Sequence, residues 1–158
     1  MTRPAITFDM AQAHQVHDVL SSLISGIGQP QPYNPLGVVT GSLFPIIVPA
    51  EEILRGHVYG EITSAVYVIT NDIRTVRYVG SVDRSSPALR NRIRAHLAPS
   101  AIPRQAWTGV GLIRVPDDLP HRKVLLCEGW AGRVLDPLDN VRLPLVGGRP
   151  WTPRRQAA

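Results

Sequence analysis

Hydrophobic and polar positions alternate most clearly in the middle of the chain. Residues 64–70 and 75–81 are both rich in β-forming side chains, and Asn71-Asp72-Ile73-Arg74 between them are turn formers. The pattern predicts a hairpin with a four-residue loop and Tyr67 opposite Tyr78, so that both phenols project from one face. A slip of one residue would separate them, and the sequence leaves that open. Residues 107–115 read as a third strand.

Helical spacing appears on both sides of these strands. Asp9 caps a helix running to about Ser25, with Met10, His14, His17, Val19, Leu20, Leu23 and Ile24 as its stripe and Gly26 as its stop. Residues 49–56 read as a short helix with Pro49, Glu51 and Glu52 at its start and Gly56 past its end. Ser86 caps a third helix with Pro87 at its first position. Leu89, Ile93 and Leu97 form its core stripe, and it ends before Pro99. Asp117 or Asp118 caps a fourth, with Pro120 in its first turn, running to about Leu135. Gly129 and Gly132 weaken that helix by roughly 1 kcal/mol each relative to alanine. They imply either close packing or a kink.

The expected class is α+β. A small three-stranded antiparallel sheet is flanked by helices over residues 64–142. Residues 1–63 form a mostly helical and irregular extension, with three prolines between 29 and 37, and residues 143–158 form a mobile basic tail. No internal repeat is present.

Charge changes the picture. Residues 1–63 hold two arginines against five acids, a balance of −3. Residues 64–142 hold twelve basic and seven acidic residues, and residues 143–158 add three arginines and no acid. A basic body and tail suit a polyanionic partner, phosphates being the commonest. One cysteine, Cys127, excludes an intrachain disulfide and fits a reducing, cytoplasmic setting. No signal peptide is evident. The longest apolar run, residues 43–50, is broken by Pro45 and Pro49 and is too short for a bilayer.

Glu128 is the strongest chemical clue. On a helix it shares a face with Val124, Ala131 and Leu135, where an ionised carboxylate is costly unless a cation meets it. That cation is either an arginine or a divalent metal, and oxygen ligation favours magnesium or manganese. Arg92 flanks an apolar stripe, either as a snorkelling side chain or as a bidentate phosphate grip. His96, one turn on, is either a partly buried structural residue or a donor and proton carrier. Tyr67 is a poor base with an ordinary phenol pKa of about 10, unless a neighbouring cation shares the work. Asn140 reads first as a turn residue whose amide can tie its turn to the site. His14 and His17 lack an apparent third ligand and read as solvated. Gly109 and Gly111 lie in a strand and make no phosphate loop.

In order and spacing, Ala65-Val66-Tyr67, Tyr78-Val79-Gly80, Arg92, His96, Glu128 and Asn140 resemble the GIY-YIG nuclease family over residues 64–142. Ala65 stands where the family usually has glycine. The resemblance implies metal-dependent hydrolysis of a DNA phosphodiester to 5′-phosphate and 3′-hydroxyl ends. In that scheme Glu128 holds one Mg2+, with Mn2+ as a substitute. Tyr67 orients or deprotonates the attacking water, helped by Tyr78. Arg92 and His96 stabilise the phosphate, and Asn140 supports the site. Arg77, Arg90, Arg94 and Arg104 are the DNA-contact candidates, on double-stranded DNA. The short length fits a restriction-like or mobile-element nuclease. A catalytically silent DNA-binding module and an interbacterial nuclease toxin are the alternatives, with a small RNA-binding protein as the rival of another class. Residues 1–63 are expected to pack on the domain or to make a homodimer.

Overall fold

The β-branched run Ala65–Thr70 forms β3, and every residue of it is buried. Burial on both faces places β3 in the middle of the sheet. In the computed structural model, which describes residues 6–24, 31–32, 47–56, 62–84, 89–97 and 107–152, the element order is α1 (Met10–Leu23), β1 (Gln31–Pro32), β2 (Ile47–Pro49), α2 (Ala50–Leu54), β3, β4 (Val76–Val82), α3 (Leu89–His96), β5 (Gly109–Arg114) and α4 (His121–Leu135). All pairings are antiparallel and the strand order is β1-β5-β3-β4. β2 also pairs with β5, so β1 and β2 follow each other along its outer edge. The class is α+β. The three expected strands are present, but the sheet is wider than three because the N-terminal residues contribute two more. Among the described residues no helix is long and apolar enough to cross a membrane.

Two apolar clusters cover the two sheet faces. One joins Val66, Val68, Val76, Val79 and Ile113 to α1 and α4 through Val16, Leu20, Ile24, Val124, Cys127 and Leu135. The other joins Ala65, Tyr67, Ile69, Val110 and Leu112 to α2 and α3 through Ile53, Leu89 and Ile93. Residues 6–24 are therefore part of the core, packed on the domain. The buried stripe of α1 is Ala13, Val16, Leu20 and Ile24, with Asp9 capping through Gln12 N at 2.9 Å. His14 is exposed, as a solvated position should be.

The hairpin register differs from the expected one. Tyr67 pairs with Gly80 and Ile69 with Tyr78, whereas Thr70 pairs with Val76, so Arg77 is an extra residue that bulges out of β4. Two causes act on the turn. Asn71 Oδ1 accepts from Ile73 N and Thr75 N, at 3.2 and 2.9 Å, and tightens the loop. Residues 6–8 then bind its far side: Thr7 bridges Thr75, and Val76 N donates to Ile6 O at 2.8 Å. The shift is two positions, so both tyrosines still share a face.

α4 begins after Pro120, without a side-chain cap. Asp117 instead accepts from Thr63 Oγ1 at 2.7 Å. Gly129 and Gly132 serve close packing. A Cβ at Gly132 would come within 2.3 Å of Leu143, and one at Gly129 within 2.9 Å of Pro144 O. The start of the supposed tail is thus docked on α4. Leu143 and Val146 are buried, and Arg133 donates to Pro144 O and Arg149 O at 3.0 and 2.7 Å. The cap at Ser86 and Pro87, most of the proline-rich stretch, Arg104 and residues 153–158 lie outside the described residues.

Candidate active site

β4 is an outer strand, and its outward N–H and C=O groups need partners. Its first half receives them from the segment after α4. Asp139 N donates to Arg77 O at 2.7 Å. Asn140 then uses its side chain as a strand would use its backbone: Oδ1 accepts from Val79 N and Nδ2 donates to Val79 O, both at 2.9 Å. The Asp139 carboxylate accepts two bonds from Arg77, at 2.8 and 2.9 Å, and one from Trp107 Nε1 at 2.6 Å. Asn140 is 3% exposed, so it ties the site together from beneath and faces no ligand.

Ser81, two residues on, is the next outward position. Here Glu128 supplies the partner: its carboxylate accepts from Ser81 Oγ at 2.9 Å and from the Ser81 backbone. Burial pushes the Glu128 carboxyl above its ordinary range. The Ser81 bonds, then Arg92 and His121, pull the other way. Among the described residues no basic side chain makes an ion pair with Glu128, and Arg92 and His121 act on its charge from further away.

Tyr67 reaches the same edge from the other sheet face. Its ring lies across Gly80, where a Cβ would stand 2.4 Å from the phenol's Cζ and oxygen. Only a glycine lets the inner strand send a side chain over the outer one. Tyr78 stacks beside it with centroids 6.2 Å apart and planes at 26°. The Tyr67 hydroxyl meets His96 Nε2 at 3.0 Å, and the His96 ring stands 4.7 Å from Tyr78 and 5.6 Å from Trp107. α3 is anchored by Leu89 and Ile93, which leaves Arg92 and His96 on the flank that faces this edge. Arg92 Nε is buried without a hydrogen-bond partner.

Electrostatics report the convergence. Burial drives the Tyr67 phenol well above its ordinary value. Tyr78 adds to the rise through charge and a side-chain hydrogen bond, Arg92 opposes it and Glu128 adds to it. Arg92 is therefore felt by both the phenol and the carboxylate. The arrangement has a floor and a rim. Tyr67, 1% exposed, and Asn140 lie beneath, while Tyr78, Arg92, His96 and Glu128 are half-buried around them. Among the described residues no three His, Cys, Asp or Glu side chains cluster as a metal cage. Glu128 by itself fits a hard cation that keeps most of its waters, since it makes no ion pair and one oxygen is already oriented by Ser81.

The remaining sequence candidates divide. Arg77 is committed to Asp139. Arg90 Nε donates to Leu54 O at 2.8 Å and joins α3 to α2. Arg94 is exposed on α3. Sequence reasoning missed Ser81 as the hydroxyl on Glu128 and Trp107 as a wall of the site. It also missed Asp83, whose carboxylate bonds His121 Nδ1. Strand alternation beyond Val79 would have flagged Ser81 as an outward position, but nothing local links residues 83 and 121. No family model matches the chain, nor does any curated protein or solved structure.

Proposed function

We propose that this protein is a metal-dependent DNA endonuclease of restriction or mobile-element type. It hydrolyses a phosphodiester to 5′-phosphate and 3′-hydroxyl ends. One observation carries the reading: a shielded carboxylate without an ion-pair partner and a guanidinium with a buried, unpartnered Nε act on each other at one strand edge beside a hydrogen-bonded phenol. Each such group costs free energy until a partner satisfies it, and a phosphate with its cation would satisfy both.

Glu128 would hold Mg2+, or Mn2+ in its place. When bound, the ion supplies Lewis-acid polarisation of the phosphate and charge for the leaving oxygen. Arg92 donates to the non-bridging oxygens and stabilises the charge that builds on them. Ser81 holds the carboxylate in orientation through its hydroxyl and backbone.

Tyr67 acts as a link rather than as a base. Its phenol is pushed upward by burial, so a resting phenolate is disfavoured. It bonds to Tyr78 on one side and His96 on the other. The proton of the attacking water leaves through the hydrogen-bonded group of Tyr78, Tyr67 and His96. No phenolate forms. An imidazole, with an ordinary pKa of about 6.5, is the proton sink.

The test is incubation of the purified chain with plasmid DNA, with magnesium and with chelator. Nicked or linear product in magnesium, absent in chelator and carrying ligatable 5′-phosphate ends, is expected. Intact plasmid in both magnesium and manganese would remove the nuclease reading, and DNA binding without cleavage would replace it with a DNA-binding module.

A further inference from the structure

Beyond Ser81 the edge of β4 continues to Asp83, which faces the same way. At 3.2–3.4 Å per residue, Asp83 lies roughly 7 Å further along. α4 runs antiparallel to this path. His121 precedes Glu128 by seven residues, two helical turns, so it sits on the same stripe about 10 Å away. The two residues meet. The Asp83 carboxylate, 7% exposed, bonds Nδ1 of His121, whose side chain is 60% exposed. Asp83 is the only partner of His121 among the described residues, which leaves Nε2 on the open side. A buried carboxylate thus orients an accessible imidazole a short step from the Glu128 site, and the Glu128 carboxyl senses that imidazole.

The surroundings are cationic. Arg84 follows Asp83, and Arg122 and Lys123 follow His121. Arg84 and Arg122 are exposed, and no acid among the described residues forms an ion pair with any of the three. The engaged carboxylate and the imidazole are thus flanked along the chain by two exposed guanidinium groups, Arg84 and Arg122, whereas Lys123 lies on the Cys127 side of α4. Such a patch suits an anion. Its offset from Glu128, along both strand and helix, is comparable to the spacing of neighbouring phosphates on one strand.

We propose that the Asp83–His121 pair, flanked by Arg84 and Arg122, holds the phosphate adjacent to the scissile one and so fixes the path of the nucleic-acid strand across the β4 edge. This rests on the nuclease reading of the neighbouring site. Asp83 accepts from Nδ1–H and sets the ring's orientation. With both ring nitrogens protonated, Nε2–H donates to a phosphate oxygen. Asp83 is a positioning residue, and His121 makes the contact.

The experiment is equilibrium binding of a fluorescein-labelled duplex in chelator, across a salt series, for the wild-type chain, His121→Gln and Asp83→Asn. Loss of one phosphate contact should lower the slope of log affinity against log salt by about 0.9 and weaken binding equally on unrelated sequences. His121→Gln should show that fall with an unchanged Tm. Asp83→Asn should show it in part. An unchanged slope with a lowered Tm would make the pair a clamp on the first turn of α4 and overturn the proposal. Should His121→Gln not fold, the surface variant Arg84→Gln/Arg122→Gln decides: an unchanged slope overturns the contact. Wild-type cleavage is scored separately. A lowered slope without any cleavage keeps this contact and removes the nuclease, whereas cleavage with an unchanged slope removes this contact alone.

Discussion

The two halves of the β4 edge are built from the same backbone and treated oppositely. Along Val76–Val79 every outward group described above finds a partner. Arg77 is matched bidentately by Asp139, which also takes the Trp107 indole N–H, and Asn140 bonds both backbone groups of Val79. From Gly80 onward the side chains are equally polar and less satisfied. Glu128 has a hydroxyl and a backbone group but no ion pair, and Arg92 Nε has no hydrogen-bond partner. The first half shows that this fold can neutralise an acid with an arginine at a strand edge. A few residues away Glu128 makes no such ion pair, and the proposed nuclease site lies on that second half.

Breaking the open half should affect turnover most. Glu128→Ala is expected to reduce magnesium-dependent cleavage about 10³-fold while the fold survives, since the carboxylate makes no ion pair within the fold. A rate within threefold of wild type in a plasmid assay would dissociate Glu128 from the chemistry. Next comes Tyr67→Phe, which cuts the path between Tyr78 and His96. It should slow cleavage about 10²-fold with little change in duplex affinity, as single-turnover kinetics and anisotropy can establish together. Unchanged turnover would remove Tyr67 from proton transfer.

Breaking the closed half should act on stability instead. Asp139→Ala strands both Arg77 and the Trp107 N–H, at a cost of roughly 2 kcal/mol in denaturant melts. The smallest effect has the opposite sign. Because burial raises the Glu128 carboxyl above 4.5, the native chain retains a proton there that the unfolded chain has already released. Stability therefore falls as pH rises through that window. Glu128→Gln removes the loss, so its metal-free Tm at neutral pH should exceed the wild type's by a few degrees, and the gain should vanish as pH falls below 4.5. A Tm below that of the wild type at neutral pH would mean that Glu128 is structurally compensated after all, like Asp139.

Much of this was legible along the chain. The alternation at 64–70 and 75–81, the stripe Leu89–Ile93–Leu97 and the acid on an apolar face at Glu128 are local signals. They follow from the periods of strand and helix, and the corresponding elements are present. Glycines at 129 and 132 announced either a kink or a close neighbour, and Leu143 proved to be the neighbour. The hairpin register was not legible. It is decided by residues 6–8 gripping Thr75 and Val76, and by Arg77 bulging toward Asp139, both contacts between residues distant in sequence.

Nor could the sequence place Glu128 and Tyr67 on opposite faces of one sheet, meeting over its edge across Gly80. Residue type and spacing determine which side chains can carry charge or join a core, because those properties are local. Whether a charge is neutralised, or an edge capped, depends on what the folded chain brings beside it. Desolvation and hydrogen-bond completion exist only between packed elements, so only the tertiary structure decided which half of β4 was closed and which was left open.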